Sequence, residues 1–211
     1  SLLMEDPEVA LRYPETPAAA WSLLFQANDN LAQGINALYQ DRDEAETLLS
    51  QAKDQFQDAA AASEETLLVS RANFGRGMAA ESLGQIDEAI EAYEFAFAIE
   101  EGFVQALQEC ADLCTELNQH HRALKYYLDL LETEGAEAES ELYSQIGNCY
   151  MAMNRPQAAV TYFLQAARHD PMSDETFFNI GSCYALEGFW SNAVQYFEKA
   201  IGIDEERDEY F

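Results

Sequence analysis

Four cysteines, three histidines and a large excess of carboxylates are the side chains here that could hold a metal, attack a substrate or move a proton. The cysteines are Cys110, Cys114, Cys149 and Cys183, and none stands in a Cys-x-x-Cys pair. A zinc site needs ligands that converge from several directions. Cys110 and Cys114 lie one turn apart on one helix face, whereas His120 and His121 fall in the turn that follows. The thiols are therefore read as small buried apolar side chains, and unpaired buried thiols point to a reducing compartment. His169, beside Asp170 and Pro171 at a helix end, is placed to satisfy terminal carbonyls. Gly75-Arg76-Gly77 has no third glycine at the dinucleotide spacing. The acidic run from Asp204 lacks the glycine of a calcium loop. With no nucleophile and orienting base, and no metal or cofactor site, the sequence reads as a non-enzyme.

Charge narrows the remaining classes. The net charge is −28, from 39 acidic and 11 basic residues. Such a surface repels phosphate backbones, so nucleic acid is excluded as a partner. An anionic membrane surface is disfavoured for the same reason. A hydrophobic share of 48% is ample for a continuous core. The longest apolar stretches, such as Pro17–Phe25, fall far short of the ~18–20 residues a membrane span needs. No signal peptide is read in the sequence, and its opening at Ser1 rather than Met is expected to be a cloning boundary, upstream of which an anchor or leader could have been removed.

The residues that must position any site return at a fixed interval. Ala89, Ala123, Ala159 and Ala193 are 34, 36 and 34 residues apart. Tyr93, Tyr127, Phe163 and Phe197 follow them by four, and Gly77, Ala111, Gly147 and Gly181 precede them by twelve. A period of this length means stacked helix pairs, none able to bury its apolar face alone. Residues 1–16, with Pro7 and Pro14, read as an irregular lead-in. Thr16 and Pro17 mark a helix start, and that helix runs to about Tyr39. A second follows Asp41 and Asp43, from about Glu44 to Ala62. Residues 17–62 thus form an atypical pair: Ala52 and Phe56 are four apart, but Gly34 leads Ala52 by 18. Residues 63–207 hold four regular units, at about 70–103, 104–137, 140–173 and 174–207. Gly84, Asn118, Asn154 and Gly188 end the first helix of each unit, where positive φ is needed. Ser173 caps the last unit's first helix. Residues 208–211 read as the opening of a further helix at which the array is truncated, leaving an end open to self-association.

The run Tyr143, Ile146, Gly147, Tyr150, Ala159, Phe163, Ala166 and Pro171 resembles the tetratricopeptide repeat signature nearly position for position. So does Phe177, Ile180, Gly181, Tyr184, Gly188, Ala193, Phe197 and Ala200. The resemblance covers about 70–207. Arg76, Asp112 and Leu130, with two extra residues near Ala138, depart from the pattern. It implies an all-α, right-handed α-solenoid of stacked antiparallel helix pairs, about ten helices in all. It also implies a concave groove lined by the first helix of each unit.

The candidate groove residues are Phe74, Met78, Glu141, Asn148, Met151, Glu175, Phe178 and Asn179. Asn148 and Asn179 resemble the paired asparagines of the family's chaperone-tail clamps. The clamp cations are missing, because Ser144 and Glu209 stand at those places. An anionic peptide end would face Glu141 and Glu175 without counter-charge, at several kcal/mol if desolvated. The expected ligand is instead an apolar peptide segment with Lys or Arg around it. The expected function is a non-catalytic adaptor or holding chaperone. The alternative is a structural assembly unit that self-associates through array ends and convex faces. A cytoplasmic location follows from the free thiols. The run Pro17 to Trp21 is similar to the start of repeat domains tethered outside the cytoplasm by an N-terminal membrane helix, which gives the alternative location.

Overall fold

The computed structural model describes residues 16–100, 102–133 and 139–208, with side chains up to Asp204. The lead-in before Thr16, the junction around Ala138 and the terminal residues Glu209, Tyr210 and Phe211 lie outside the described residues. Ten helices are described: α1 (Pro17–Ala37), α2 (Arg42–Ala61), α3 (Thr66–Ser82), α4 (Ile86–Ile99), α5 (Val104–Glu116), α6 (His120–Glu132), α7 (Ser140–Ala152), α8 (Pro156–His169), α9 (Asp174–Leu186) and α10 (Trp190–Asp208). The rest of the described residues are turns, bends and unassigned backbone, with no strand among them.

The helix starts follow from their side chains. Thr16 Oγ1 accepts the Ala19 amide at 3.3 Å, with Pro17 behind it. Asp41 accepts the amides of Asp43 and Glu44, which starts α2 at Arg42, ahead of the expected Glu44. Ser173 accepts the Thr176 amide at 3.1 Å. The stops are equally local. Gly84, Asn118, Asn154 and Gly188 all sit at positive φ, between 57° and 78°. Each turn closes in the same way: the amide that follows it bonds back to the carbonyl five residues earlier, as Arg155 does to Tyr150 at 2.9 Å. One expectation shifts. His120 and His121 are the first residues of α6 rather than turn residues, because Gln119 is its N-cap.

The chain divides into two compact units, residues 1–110 and 111–211. In the first, α1 packs on α2, α2 on α3 and α3 on α4. Its core holds Leu24, Leu31, Leu49, Phe56 and Leu68 among alanines that let the helices close up. A Cβ on Gly77 would come within 2.5 Å of the Tyr93 ring. The first pair meets differently from its spacing. A Cβ on Gly34 would lie 2.8 Å from Leu49, not against Phe56, and Phe56 faces Gly75 of α3 instead. The pair equivalent to the later alanine–aromatic pairs is thus Ala45 with Leu49, both fully buried. Gly34 leads Ala45 by eleven residues, close to the regular twelve, so the apparent stretch came from pairing the wrong alanine.

In the second unit α7 packs on α6 and α8, α8 on α9, and α9 on α10. Phe163 and Ala159 are fully buried with Phe177 and Ile180. The Phe163 and Phe197 rings press on Gly147 and Gly181, where an added Cβ would sit 2.6 and 2.7 Å away. These contacts leave Ala159 and Ala193 no room, at 0% and 2% exposure. Ala159→Leu or Ala193→Leu should therefore lower stability by about 1–3 kcal/mol through overpacking. Urea titration of each variant checks this, and an unchanged midpoint contradicts the packing.

Candidate functional site

The second unit holds a cleft of ≈ 340 Å³ between the N-terminal two-thirds of α7 and the first turn of α9. α7 contributes Glu141, Ser144, Gln145 and Asn148 to its wall, with Glu139 and Ser140 at the rim. The α8–α9 turn and α9 contribute Asp170, Ser173, Glu175 and Thr176. Four carboxylates line the space, and no Lys, Arg or His does. Gln145 Nε2 donates to Glu141 at 2.8 Å, holding that carboxylate against α7. Ser140 donates to the Ala166 carbonyl, tying the rim to the end of α8. Met172's amide donates to Asp170, which shapes the turn. The cleft can accept cationic groups through its carboxylates, and peptide amides through Ser144 and Asn148.

Of the eight residues named from sequence, the structure gathers Glu141, Asn148 and Glu175 in this cleft. Phe178 lies one turn after Glu175 on α9, 56% exposed and in ring contact with Phe197. Asn179 is half-buried and outside the cleft lining. The other three are occupied by their own neighbours. Phe74, in the first unit, packs between the rings of Tyr93 and Phe103 at 5.2 and 4.8 Å. Met78 is half-buried against the first core. Met151 is half-buried against the second core, its sulfur 3.3 Å from the Cys183 thiol. The ring of His169, in the last turn of α8, lies against Tyr143 at 5.2 Å.

The departure Asp112 has a visible role, and Glu81 has the same one in the first unit. Tyr93 donates to Glu81 at 2.7 Å, and Tyr127 donates to Asp112 at 2.8 Å. Burial, reinforced by its Glu81 bond, pushes the Tyr93 hydroxyl far above the usual phenol range. Burial also raises Tyr127; its contact with Thr115 works the other way, and the Asp112 bond adds to the rise. The four cysteines are buried and outside any disulfide. Among the described residues no group of three or more His, Cys, Asp or Glu could hold a metal ion. Nor is any described helix long and apolar enough to cross a membrane.

The tetratricopeptide repeat profile matches residues 31–98 and 145–208, more than half of the chain. The chain belongs to the tetratricopeptide repeat family. A curated relative, the general transcriptional corepressor trfA of Dictyostelium discoideum, is 32% identical over 92 residues. That match takes in 44% of this chain and only 6% of that protein. Among solved structures, MamA from Desulfovibrio magneticus RS-1 has a TM-score of 0.64 at 15% identity, over 87% of this chain and 97% of that one. YrrB, described as a TPR protein with an unusual peptide-binding site, has a TM-score of 0.68 at 21% identity. It covers 93% of this chain and 90% of its own. At these identities the likeness carries the fold: an all-α tetratricopeptide solenoid of helix pairs. Repeats of this kind present surfaces to other proteins, and protein interaction is the functional class of this tetratricopeptide chain.

His120 and Arg122 from the first turn of α6 and Arg155 from the α7–α8 turn line one space, a grouping not read from the sequence. The 36-residue offset between Asn118 and Asn154 was the signal, because equivalent turns of neighbouring units come to one edge.

Burial pushes Cys149 and Cys183 up to about 11. A raised thiol favours the protonated native form, so its contribution is intact below the unfolded value of about 9 and is lost as pH climbs toward 11. The urea midpoint should hold to about pH 9 and then fall, with Tyr93 and Tyr127 adding to the loss above about pH 10. In Cys149→Ala/Cys183→Ala the fall between pH 9 and 10 should be shallower; an identical slope refutes thiol linkage.

Proposed function

We propose that the chain is a non-catalytic adaptor or holding module that binds a basic segment of a partner protein along α7 and α9. The observation that carries this is the acidic cleft, in which Glu139, Glu141, Asp170 and Glu175 face one space with no cation among its lining residues. A Lys or Arg entering there neutralises carboxylates that otherwise repel one another. The amide of Asn148 and the hydroxyl of Ser144 supply pairing for the ligand backbone. Beyond the cleft, Phe178 and Leu186 stay 56% and 61% exposed on α9. Phe178 follows Glu175 by three and Leu186 by eleven, so all three share one face. This arrangement supports a ligand with a basic residue followed by apolar ones. Acidic charge on the module also speeds encounter with such a ligand. The four cysteines, none of them in a disulfide, support a cytoplasmic placement.

A second reading rests on α10. Trp190, Val194 and Ile201 are 68%, 53% and 57% exposed. With the half-buried Phe197 between them they form a stripe at spacings of four, three and four. That stripe favours an assembly unit whose last helix pairs with another copy.

Selection from a random-peptide display library separates the two. The adaptor reading expects enrichment of a basic and apolar motif that is lost on Asn148→Ala/Asn179→Ala. For a selected peptide, Glu141→Gln/Glu175→Gln should slow association by about tenfold and flatten its salt dependence. No enrichment, together with a mass that rises with concentration in sedimentation, would replace the adaptor reading by the assembly one.

A further inference from the structure

The second unit carries a second cleft of opposite character, at the other end of α7. It measures ≈ 550 Å³ and is bounded by the first residues of α6 and the turn between α7 and α8. His120, His121 and Arg122 enter from α6, Arg155 from the next turn, and Ala152 and Met153 form part of the wall. No carboxylate lines it. That is unusual in a chain with 39 acidic and 11 basic residues, where a random patch of surface is acidic. Two of the three histidines and two arginines have been brought together.

Three features give this cluster a ligand preference. The Nδ1 atom of His120 is buried and has no hydrogen-bond partner among the described residues. An orphaned buried nitrogen is costly, and the cost is relieved when the ring turns out to meet a partner. Secondly, neither α6 nor α8 has a side-chain cap at its start. In the first turn of α6 the amides of Arg122 and Ala123 already bond to the Gln119 carbonyl, so the helix start contributes its dipole, which favours anions. Thirdly, Gln119 accepts from Arg122 Nη1 at 2.9 Å, which steadies that guanidinium across the mouth. Arg155 is exposed at the opposite lip and can reach a ligand from the other side.

We infer that this turn-edge cleft is a binding site for an anionic oxygen group, a carboxylate or phosphate, borne by a polypeptide segment. Paired guanidinium groups give bidentate contacts to such groups. The overall negative charge does not prevent this, because exposed charges beyond about 8 Å are largely screened at physiological salt. The site is separate from the acidic cleft, so one unit holds two contacts of opposite sign.

The test is an NMR titration of the chain with three peptides identical except for one central residue: phosphoserine, glutamate or serine. We expect an anionic peptide to shift the amide signals of His120, Ala152 and Met153, and the serine peptide to leave them in place. A response to phosphoserine alone assigns the phosphate source, and a response to glutamate assigns the carboxylate source. Arg122→Gln/Arg155→Gln should weaken the responding peptide at least tenfold, whereas Arg168→Gln, at the far end of α8, should not. Both substituted arginines are exposed, so the folded state is checked by an unchanged melting midpoint. Silence from both anionic peptides, or affinity unaltered by the double substitution, overturns the inference.

Discussion

Everything in this fold depends on how closely two helices of a pair can approach. At Gly77, Gly147 and Gly181 an aromatic ring from the partner helix occupies the space a Cβ would need. That contact sets the spacing within the pair, and the pair's spacing sets which residues of the next helix can be buried. Tyr93, Tyr127 and Phe163 are fully buried, and they fill the volume that small residues leave open. Packing of this density has no slack for an added methylene. Polar consequences follow from the same contact. Tyr93 and Tyr127 carry a hydroxyl into the pair, so Glu81 and Asp112 must stand where they can accept it.

This explains why the architecture was legible in the sequence and why parts of it were not. Gly147, Ala159 and Phe163 are constrained by one contact, so their spacing repeats and can be read. Asn118 and Asn154 repeat because positive φ excludes most side chains. The first pair was harder. Ala45 and Leu49 are spaced as Ala52 and Phe56 are, and only geometry shows that Leu49 takes the ring's place against Gly34. An aliphatic side chain fills that gap as well as a ring does, so residue type misdirected the assignment.

Site residues were less visible than fold residues for a related reason. Periodicity identifies the buried face of a helix, but not how far a half-buried side chain leans. Met151 lies at a groove spacing and still turns its sulfur to Cys183. Glu141 and Glu175 gather in one cleft because short polar loops bring α7 and α9 alongside, which spacing alone does not encode. The basic cluster at the α6 start is assembled from residues 33 to 35 positions apart, as Arg155 is from His120 and Arg122. Each looks like an ordinary turn residue when taken singly.

The uniform closure of the four turns has a wider consequence. Because backbone bonds and one positive-φ residue hold each turn, closing it does not depend on the side chain directly after it. Two amides, a guanidinium and a ring occupy that place, at Gln85, Gln119, Arg155 and Phe189. Each turn therefore behaves as a letter on a fixed frame, where new chemistry can be written one repeat at a time while the helix pair behind it stays as it is.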